Sequence, residues 1–200
     1  MRKSKAETAK TRERILEAAC AQFLTHGITE AGLAQLMRAA GLTHGGFYRH
    51  FASKEELFVE VFRSVCDREV RAMQSVAEAM PPEASHVDRL ETVLATFAQR
   101  ALRRPRLAWA LIAEPVDPLV DAERLAYRAR YSELTADALR AGIAAGELPE
   151  QNVELTAAAL VGGCGEALVG PLSPLAGAKP KVEEILTALR TFVRRAVGAG

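Results

Sequence analysis

The feature that most limits how this chain can fold is the spacing of its apolar residues, which recur every three or four positions along nearly its whole length. Ile15, Leu16, Ala19, Cys20 and Phe23 make one stripe, and Leu33, Leu36, Met37 and Ala40 make a second. Leu57, Phe58, Val61, Phe62 and Val65 make a third. That stripe is opened by Ser53-Lys54-Glu55-Glu56, a capping box in which the serine hydroxyl accepts from the Glu56 N–H and the Glu56 carboxylate reaches back. His26-Gly27, Gly41, Pro81-Pro82, Pro105, Pro115, Pro118 and Gly146-Glu147-Leu148-Pro149 interrupt the pattern, because proline lacks a donor and glycine ends helices readily. The spacing predicts a first helix ending at His26-Gly27 and others over 33–40, 43–50, 53–79, 86–103, 105–113, 118–145, 152–169 and 181–197. No segment sustains the alternation of a strand. The fold class is therefore all-α, with about nine helices.

Hydrophobic residues make up 49% of the 200 residues and charged residues 26%, which excludes a disordered chain. No apolar run is long enough to cross a bilayer, and the basic start Met1–Lys5 is followed by polar residues rather than a leader's apolar stretch. Cys20, Cys66 and Cys164 are odd in number and far apart, which fits free thiols in a reducing cytoplasm. No pair of cysteines or histidines has zinc-ligand spacing, so no metal is expected. His26, His44, His50 and His86 have no nucleophile or carboxylate partner in a recognisable motif, and no glycine-rich phosphate loop follows a strand. An enzyme with catalytic residues or a cofactor is thus not expected, although an enzyme on a helical scaffold stands as the rival from another class.

Charge is unevenly placed. Residues 1–54 hold nine Lys and Arg against four acids, whereas the remainder holds 17 basic and 21 acidic residues. An anion-binding head on an acidic body fits this split, and the expected domains are 1–54 and 55–200.

Within the head, the segment 32–51 has the makings of a helix-turn-helix. Ala40 is small where two helices cross, and Gly41 can take the positive φ that a sharp turn needs. Leu42, Phe47 and Phe51 face inward with Leu33, Leu36 and Phe23, which leaves Thr43, His44, Gly45, Tyr48, Arg49 and His50 near the outer face. Thr43 is the expected N-cap. Such a face enters the DNA major groove, and Thr43, Tyr48, His50 and Lys54 carry donors for phosphate oxygens. The N-terminus of the helix after Ser53 also offers N–H groups to a phosphate. Gly45 and Gly46 each cost about 1 kcal/mol of helix propensity, which makes sense where the backbone must approach something closely.

The residues Thr11-Arg12, Ile15-Leu16, Ala18-Ala19, Phe23, Gly27, Ala40-Gly41-Leu42-Thr43, Gly45, Phe47-Tyr48, His50-Phe51, Lys54-Glu55 and Leu57 closely resemble the N-terminal domain of TetR-family repressors. The resemblance implies that Thr43, His44 and Gly45 lie against bases and nearby phosphates. It implies too that Tyr48, His50 and Lys54 hold the backbone, and that the basic arm before Arg12 reaches an adjacent groove. Two departures stand out. Ala31-Gly32 replaces the hydroxyl residue usual at the start of the second helix, and Met37 replaces a small residue at the helix crossing.

For the body, the resemblance implies a small-molecule effector and a homodimer through the last two helices, bound to double-stranded DNA as a palindromic operator. The small residues Ala157–Cys164 and the stripe Ile185, Leu186, Leu189, Phe192 and Val193 could form a four-helix interface. Pocket candidates are Phe62, Cys66, Phe97, Trp109, Ile112, Tyr127, Tyr131 and Glu166, whose apolar majority points to a hydrophobic or amphipathic effector. Glu166 is the unexpected charge on an apolar helix, placed to meet a polar ligand group or Arg128 or Arg130. The effector would release the repressor by setting the DNA-binding heads at the wrong separation. An alternative keeps DNA binding but makes Cys66 or Cys164 a sensor of electrophiles or oxidants.

Overall fold

Nine α-helices and no strand form among the described residues, which are 5–26, 33–177, 179 and 181–199 of this computed structural model. In chain order they are α1 (Lys5–His26), α2 (Leu33–Ala39), α3 (His44–Phe47), α4 (Lys54–Glu78), α5 (His86–Arg103), α6 (Pro105–Ile112), α7 (Pro118–Ala144), α8 (Val153–Val169) and α9 (Val182–Ala196), with a 3-10 turn at Pro174–Ala176 before α9. The readings placed on Gly27 and on Ala31-Gly32 lie outside the described residues, as does the arm at 1–4.

The helices begin where the sequence supplies a cap. Thr43, Ser53, Ser85, Asp117 and Asn152 each turn a side-chain oxygen toward a backbone N–H of the helix that follows. At Ser53 the reciprocal half of the box differs from expectation. The Glu56 carboxylate accepts from the Ala52 N–H at 2.5 Å, one residue earlier than the capping serine. The third helix is also shorter than its pattern suggests: it stops at Phe47, and Tyr48–His50 form a turn. Two glycines in four residues weaken a longer helix, and Phe51 still reaches the core because its N–H bonds to the Phe47 carbonyl at 3.2 Å.

The core explains how the head is carried. Ile15, Ala19, Phe23, Leu36, Phe47 and Phe51 from α1 to α3 are buried together with Leu57, Phe58, Val61 and Phe62 of α4 and Leu107 and Ala110 of α6. Burying each large side chain of this kind is worth roughly 1.5–3 kcal/mol, so α4 and α6 are welded to the head as firmly as the head is to itself. Two further clusters hold α5, α7, α8 and α9 together. Arg194 on α9 locks onto α5 through Asp88 and the buried Glu91, both at 2.5 Å.

Candidate functional site

The turn between α2 and α3 is built as the sequence requires. Gly41 sits at φ +64°, in the region where a side chain is strained, and the Arg14 guanidinium donates to the Ala40 carbonyl at 2.9 Å to close the end of α2. Thr43 caps α3, its hydroxyl accepting from the Gly46 N–H at 3.2 Å. Beyond this turn the buried Phe47 and Phe51 stack at 5.7 Å and fix which side of α3 faces out.

What faces out is Thr43, His44, Gly45, Tyr48 and Arg49, all exposed, with His50 half-buried beside them. Tyr48 is 45% exposed; its ring lies edge-on to Phe47 and tilted against His44 at 4.8 Å. Gly45 and Gly46 differ in cause. A Cβ on Gly46 would come within 3.3 Å of the Thr43 hydroxyl, so that glycine serves the cap. A Cβ on Gly45 would meet nothing within 4 Å, so nothing in this chain demands glycine there.

Two other candidates are already engaged. Arg12 pairs with Glu60 on α4 and lies 4.6 Å over the Phe51 ring, tying α1 to α4. The Lys54 ammonium lies 4.9 Å over Phe58. The N-terminus of α4 is also less open than expected, since Ser53 and Glu56 take its nearest donors and Glu55 and Glu56 add negative charge.

The body is hollow. A cavity of about 410 Å³ lies between α4, α5, α6, α7 and α8. Phe62, Cys66, Phe97, Ile112, Tyr127, Tyr131 and Glu166 all stand on its wall. Trp109 does not; it packs on the other side of α6 against the α5–α8–α9 core. The charged part of the wall was not singled out in the sequence: Glu69, Arg100, Arg104, Arg124 and Arg128. Helical spacing carried the signal, because Glu69 shares a face of α4 with Phe62 and Cys66, and Arg124 and Arg128 share a face of α7 with Tyr127 and Tyr131.

These charges are largely matched inside the protein. Arg100 grips Glu69 through two bonds of 2.5 and 2.8 Å. Arg124, buried to 7% exposure, donates to the carbonyls of Ala110, Leu111 and Glu114 and to Asp121, closing the last turn of α6. Arg128 adds a bond of 2.9 Å to the Ile112 carbonyl. Glu166 meets neither Arg128 nor Arg130: Arg130 pairs with Asp67 at 2.8 Å, and Glu166 has no ion pair among the described residues. Tyr127 donates to Asp67 at 2.8 Å, and burial together with that carboxylate pushes its phenol up to about 12. Burial raises the Cys66 thiol strongly and pushes Cys164 up to about 11, away from the low values a reactive thiol needs.

Cavity and head are joined twice. The first half of α4 packs in the head core, and its middle carries Phe62, Cys66 and Glu69 onto the cavity wall. Helix α6 lines the cavity with Leu107, Ala108, Leu111 and Ile112, and its Arg106 donates to the His26 carbonyl at the end of α1 at 3.0 Å. On the opposite side, the stripes of α8 and α9 divide. Ala157, Leu160, Cys164, Leu186 and Val193 are buried within the chain, while Leu155, Ala158, Ala159, Gly162, Gly163 and Phe192 remain exposed. No described helix is long and apolar enough to cross a membrane, and the described residues hold no cluster suited to a metal ion.

Two family models match this architecture: "Bacterial regulatory proteins, tetR family" over residues 15–61 and "Tetracyclin repressor-like, C-terminal domain" over residues 83–168. The chain belongs to the TetR family. The first match contains the whole outer face of α3, and the second contains the cavity wall from Phe97 to Glu166. The family is one of regulatory proteins, not of enzymes. Among relatives, the "Probable acrEF/envCD operon repressor" of Escherichia coli (strain K12) is 41% identical over 61 residues, which are 30% of this chain and 28% of that protein. The matched stretch therefore spans little more than a quarter of that relative. The "HTH-type transcriptional repressor BepR" of Brucella suis biovar 1 is 28% identical over 161 residues, 78% of this chain and 73% of BepR. The structure of a TetR transcriptional regulator from Chloroflexus aurantiacus superposes with a TM-score of 0.77 at 26% identity, covering 95% of this chain and 97% of that one. This TetR-family chain thus shares its fold from head to body with a solved regulator.

Proposed function

We propose that this TetR-family chain is a sequence-specific DNA-binding repressor, released from its operator by a small hydrophobic or amphipathic effector that occupies the cavity of the body. The observation that carries the DNA-binding half is the row Thr43, His44, Gly45, Tyr48 and Arg49. It is exposed, hydroxyl- and nitrogen-bearing, and held rigidly by the buried Phe47 and Phe51 beneath it. Bases are met by Thr43, His44 and Gly45, and phosphates by Tyr48, Arg49, His50 and Lys54. Arg12 contributes by bracing α1 on α4, where Glu60 and Phe51 hold it, and contacts phosphate only if that pairing opens. Residues 1–54 act as the DNA-binding domain and 55–200 as the effector-binding and dimerisation domain, with α4 common to both.

The exposed residues of α8 and α9 pair with their copies in a two-fold homodimer, which places two recognition segments about 34–36 Å apart on a palindromic operator. Gly162 and Gly163 favour this because the surface above them is open and permits close helix approach. Phe62, Cys66, Phe97, Ile112, Tyr127, Tyr131 and Glu166 contact the effector from the cavity wall, and Trp109 supports α6 from behind. An effector that shifts α4 or α6 changes the separation of the heads, so effector and DNA oppose each other reciprocally. The protein works in the cytoplasm, with the DNA. Thiol sensing is not favoured, because burial raises all three cysteines.

The test is selection of binding sites from random duplex DNA by the purified protein and by Tyr48→Ala at two salt concentrations. A palindromic consensus, weakened by salt and lost in the variant, is expected. Absence of enrichment with wild type, with and without added cell metabolites, would overturn the DNA-binding reading.

A further inference from the structure

The main cavity does not end at its own far wall. A second hollow of about 230 Å³ lies deeper in the body and shares Phe97, Tyr131 and Val161 with it. The two rings stand 6.3 Å apart between centroids, tilted by 49°, as a pair of jambs between two chambers. Together the chambers fall within the range of about 300–1,000 Å³ usual for small-molecule sites.

The chambers differ in chemistry. The inner one is walled by Met73, Leu90, Val93, Leu94, Leu134 and Ala138. Its one cation, Arg89, is spent on the carbonyls of Ala77, Pro81, Pro82 and Ala84, and the Thr135 hydroxyl is spent on the Tyr131 carbonyl. The outer chamber carries four guanidiniums, on Arg100, Arg104, Arg124 and Arg128, against the carboxylates of Glu69 and Glu166. Glu69 is consumed by Arg100. Arg104 has neither ion pair nor side-chain hydrogen bond among the described residues, so positive charge is left over after internal pairing. At the junction, the Tyr131 hydroxyl has no hydrogen-bond partner among the described residues although the ring is half-buried. A buried tyrosine normally finds a partner for its hydroxyl.

We infer that the effector is an anionic amphiphile with an unbranched apolar chain. Its head, a carboxylate or a phosphate, lies in the outer chamber near Arg104, and its chain passes between Phe97 and Tyr131 into the inner chamber. This rests on the proposal that the cavity is the effector site. A compact ligand would leave the inner chamber empty, a neutral one would leave Arg104 without a counter-charge, and a cationic one would depend on Glu166 alone.

The test is displacement of Nile red, a neutral fluorophore, from the full-length protein by laurate, dodecyl phosphate, dodecanol, dodecyltrimethylammonium and hexanoate below their micellar range. Laurate and dodecyl phosphate are expected to bind about tenfold more tightly than dodecanol or the cation. Comparison of these two tells which anion the head prefers. Laurate is expected to exceed hexanoate by about a hundredfold, because each added methylene is buried. Ala138→Leu and Val93→Phe, either of which fills the inner chamber, are expected to erase most of the advantage of laurate and spare hexanoate. Arg104→Gln is expected to cost the anions about tenfold and leave dodecanol unchanged. Equal binding of laurate and hexanoate, or tighter binding of the cation, would overturn the inference while leaving the cavity as an effector site. The inference also falls if Nile red binds and no amphiphile displaces it; failure of Nile red to bind would overturn the cavity reading as well.

Discussion

Gly45→Ala separates what the protein needs from what DNA needs at one position. Gly45 is exposed within α3, its φ is not positive, and a Cβ there has no neighbour within 4 Å. In a helix, alanine is preferred to glycine by about 0.8–1.0 kcal/mol. The first turn of a four-residue helix realises part of that, so the folded protein should gain about 0.5 kcal/mol. For a chain of this size, that is a rise in Tm of about 1–2 °C. The outer side of Gly45 is where the backbone approaches DNA in the proposed complex, and a methyl group there would displace α3 and its neighbouring contacts. A weakening of operator binding by about tenfold or more, at least about 1.4 kcal/mol, is expected. The assay is a thermal melt beside a fluorescence-anisotropy titration with the selected operator. A variant as stable as wild type that binds the operator equally well would refute the placement of Gly45 against DNA. A variant that melts lower would refute the claim that the chain has no use for glycine there.

Two further outcomes follow from buried groups. Arg124→Met removes the donor that serves the Ala110, Leu111 and Glu114 carbonyls, and should cost about 3 kcal/mol. That is a fall in Tm of about 6–12 °C by calorimetry, and an unchanged melt would contradict the assignment of Arg124 as the closing group of α6. Stability should also fall as pH rises above about 9. The Cys66 and Cys164 thiols have folded values raised above the ordinary 9.0, so their burial stabilises the fold fully below that value and loses effect as pH climbs through the folded values. Melts from pH 7 to 11 should show this decline, and Cys66→Ala with Cys164→Ala should flatten it.

Helix limits were readable in the sequence because their causes are local: Ser85, Asp117 and Asn152 cap, and Pro81-Pro82 and Pro105 interrupt. The end of α3 was not, because it depends on how Phe47 and Phe51 are seated under α1 and α4, a contact between segments far apart in sequence. The outer row of α3 followed from knowing which side the phenylalanines bury. The cavity was legible only on its apolar side. Helix α6 is packed on nearly all sides, so periodicity could not tell that Ile112 faces the hollow while Trp109 faces α5, α8 and α9. Arg100, Glu69 and Arg124 resemble surface charges in a sequence, because what lets them line an interior is a partner on another helix: Glu69 for Arg100, and the α6 carbonyls for Arg124.

Those same arginines give α6 its mechanical character. Its last carbonyls are held by Arg124 and Arg128 from α7, and its first turn reaches α1 through Arg106 on the His26 carbonyl. An eight-residue helix fixed at one end by several directional bonds moves as a unit rather than bending. A ligand pressing on Leu107, Ala108, Leu111 or Ile112 therefore displaces Arg106 and, with it, the end of α1. Arg106→Met should leave effector binding to the body within about twofold of wild type, yet shrink the effect of the effector on operator affinity. Allosteric couplings typically amount to about 1–3 kcal/mol, so loss of one of two routes should remove about 1 kcal/mol, or about fivefold. Operator titrations with and without saturating effector measure the difference directly. If the coupling is unchanged in Arg106→Met, the signal runs through α4 alone. Helix α4 is continuous from Leu57 in the head core to Glu69 on the cavity wall, and a buried-to-small change at Phe58 or Val61 would then be the variant that uncouples the two sites.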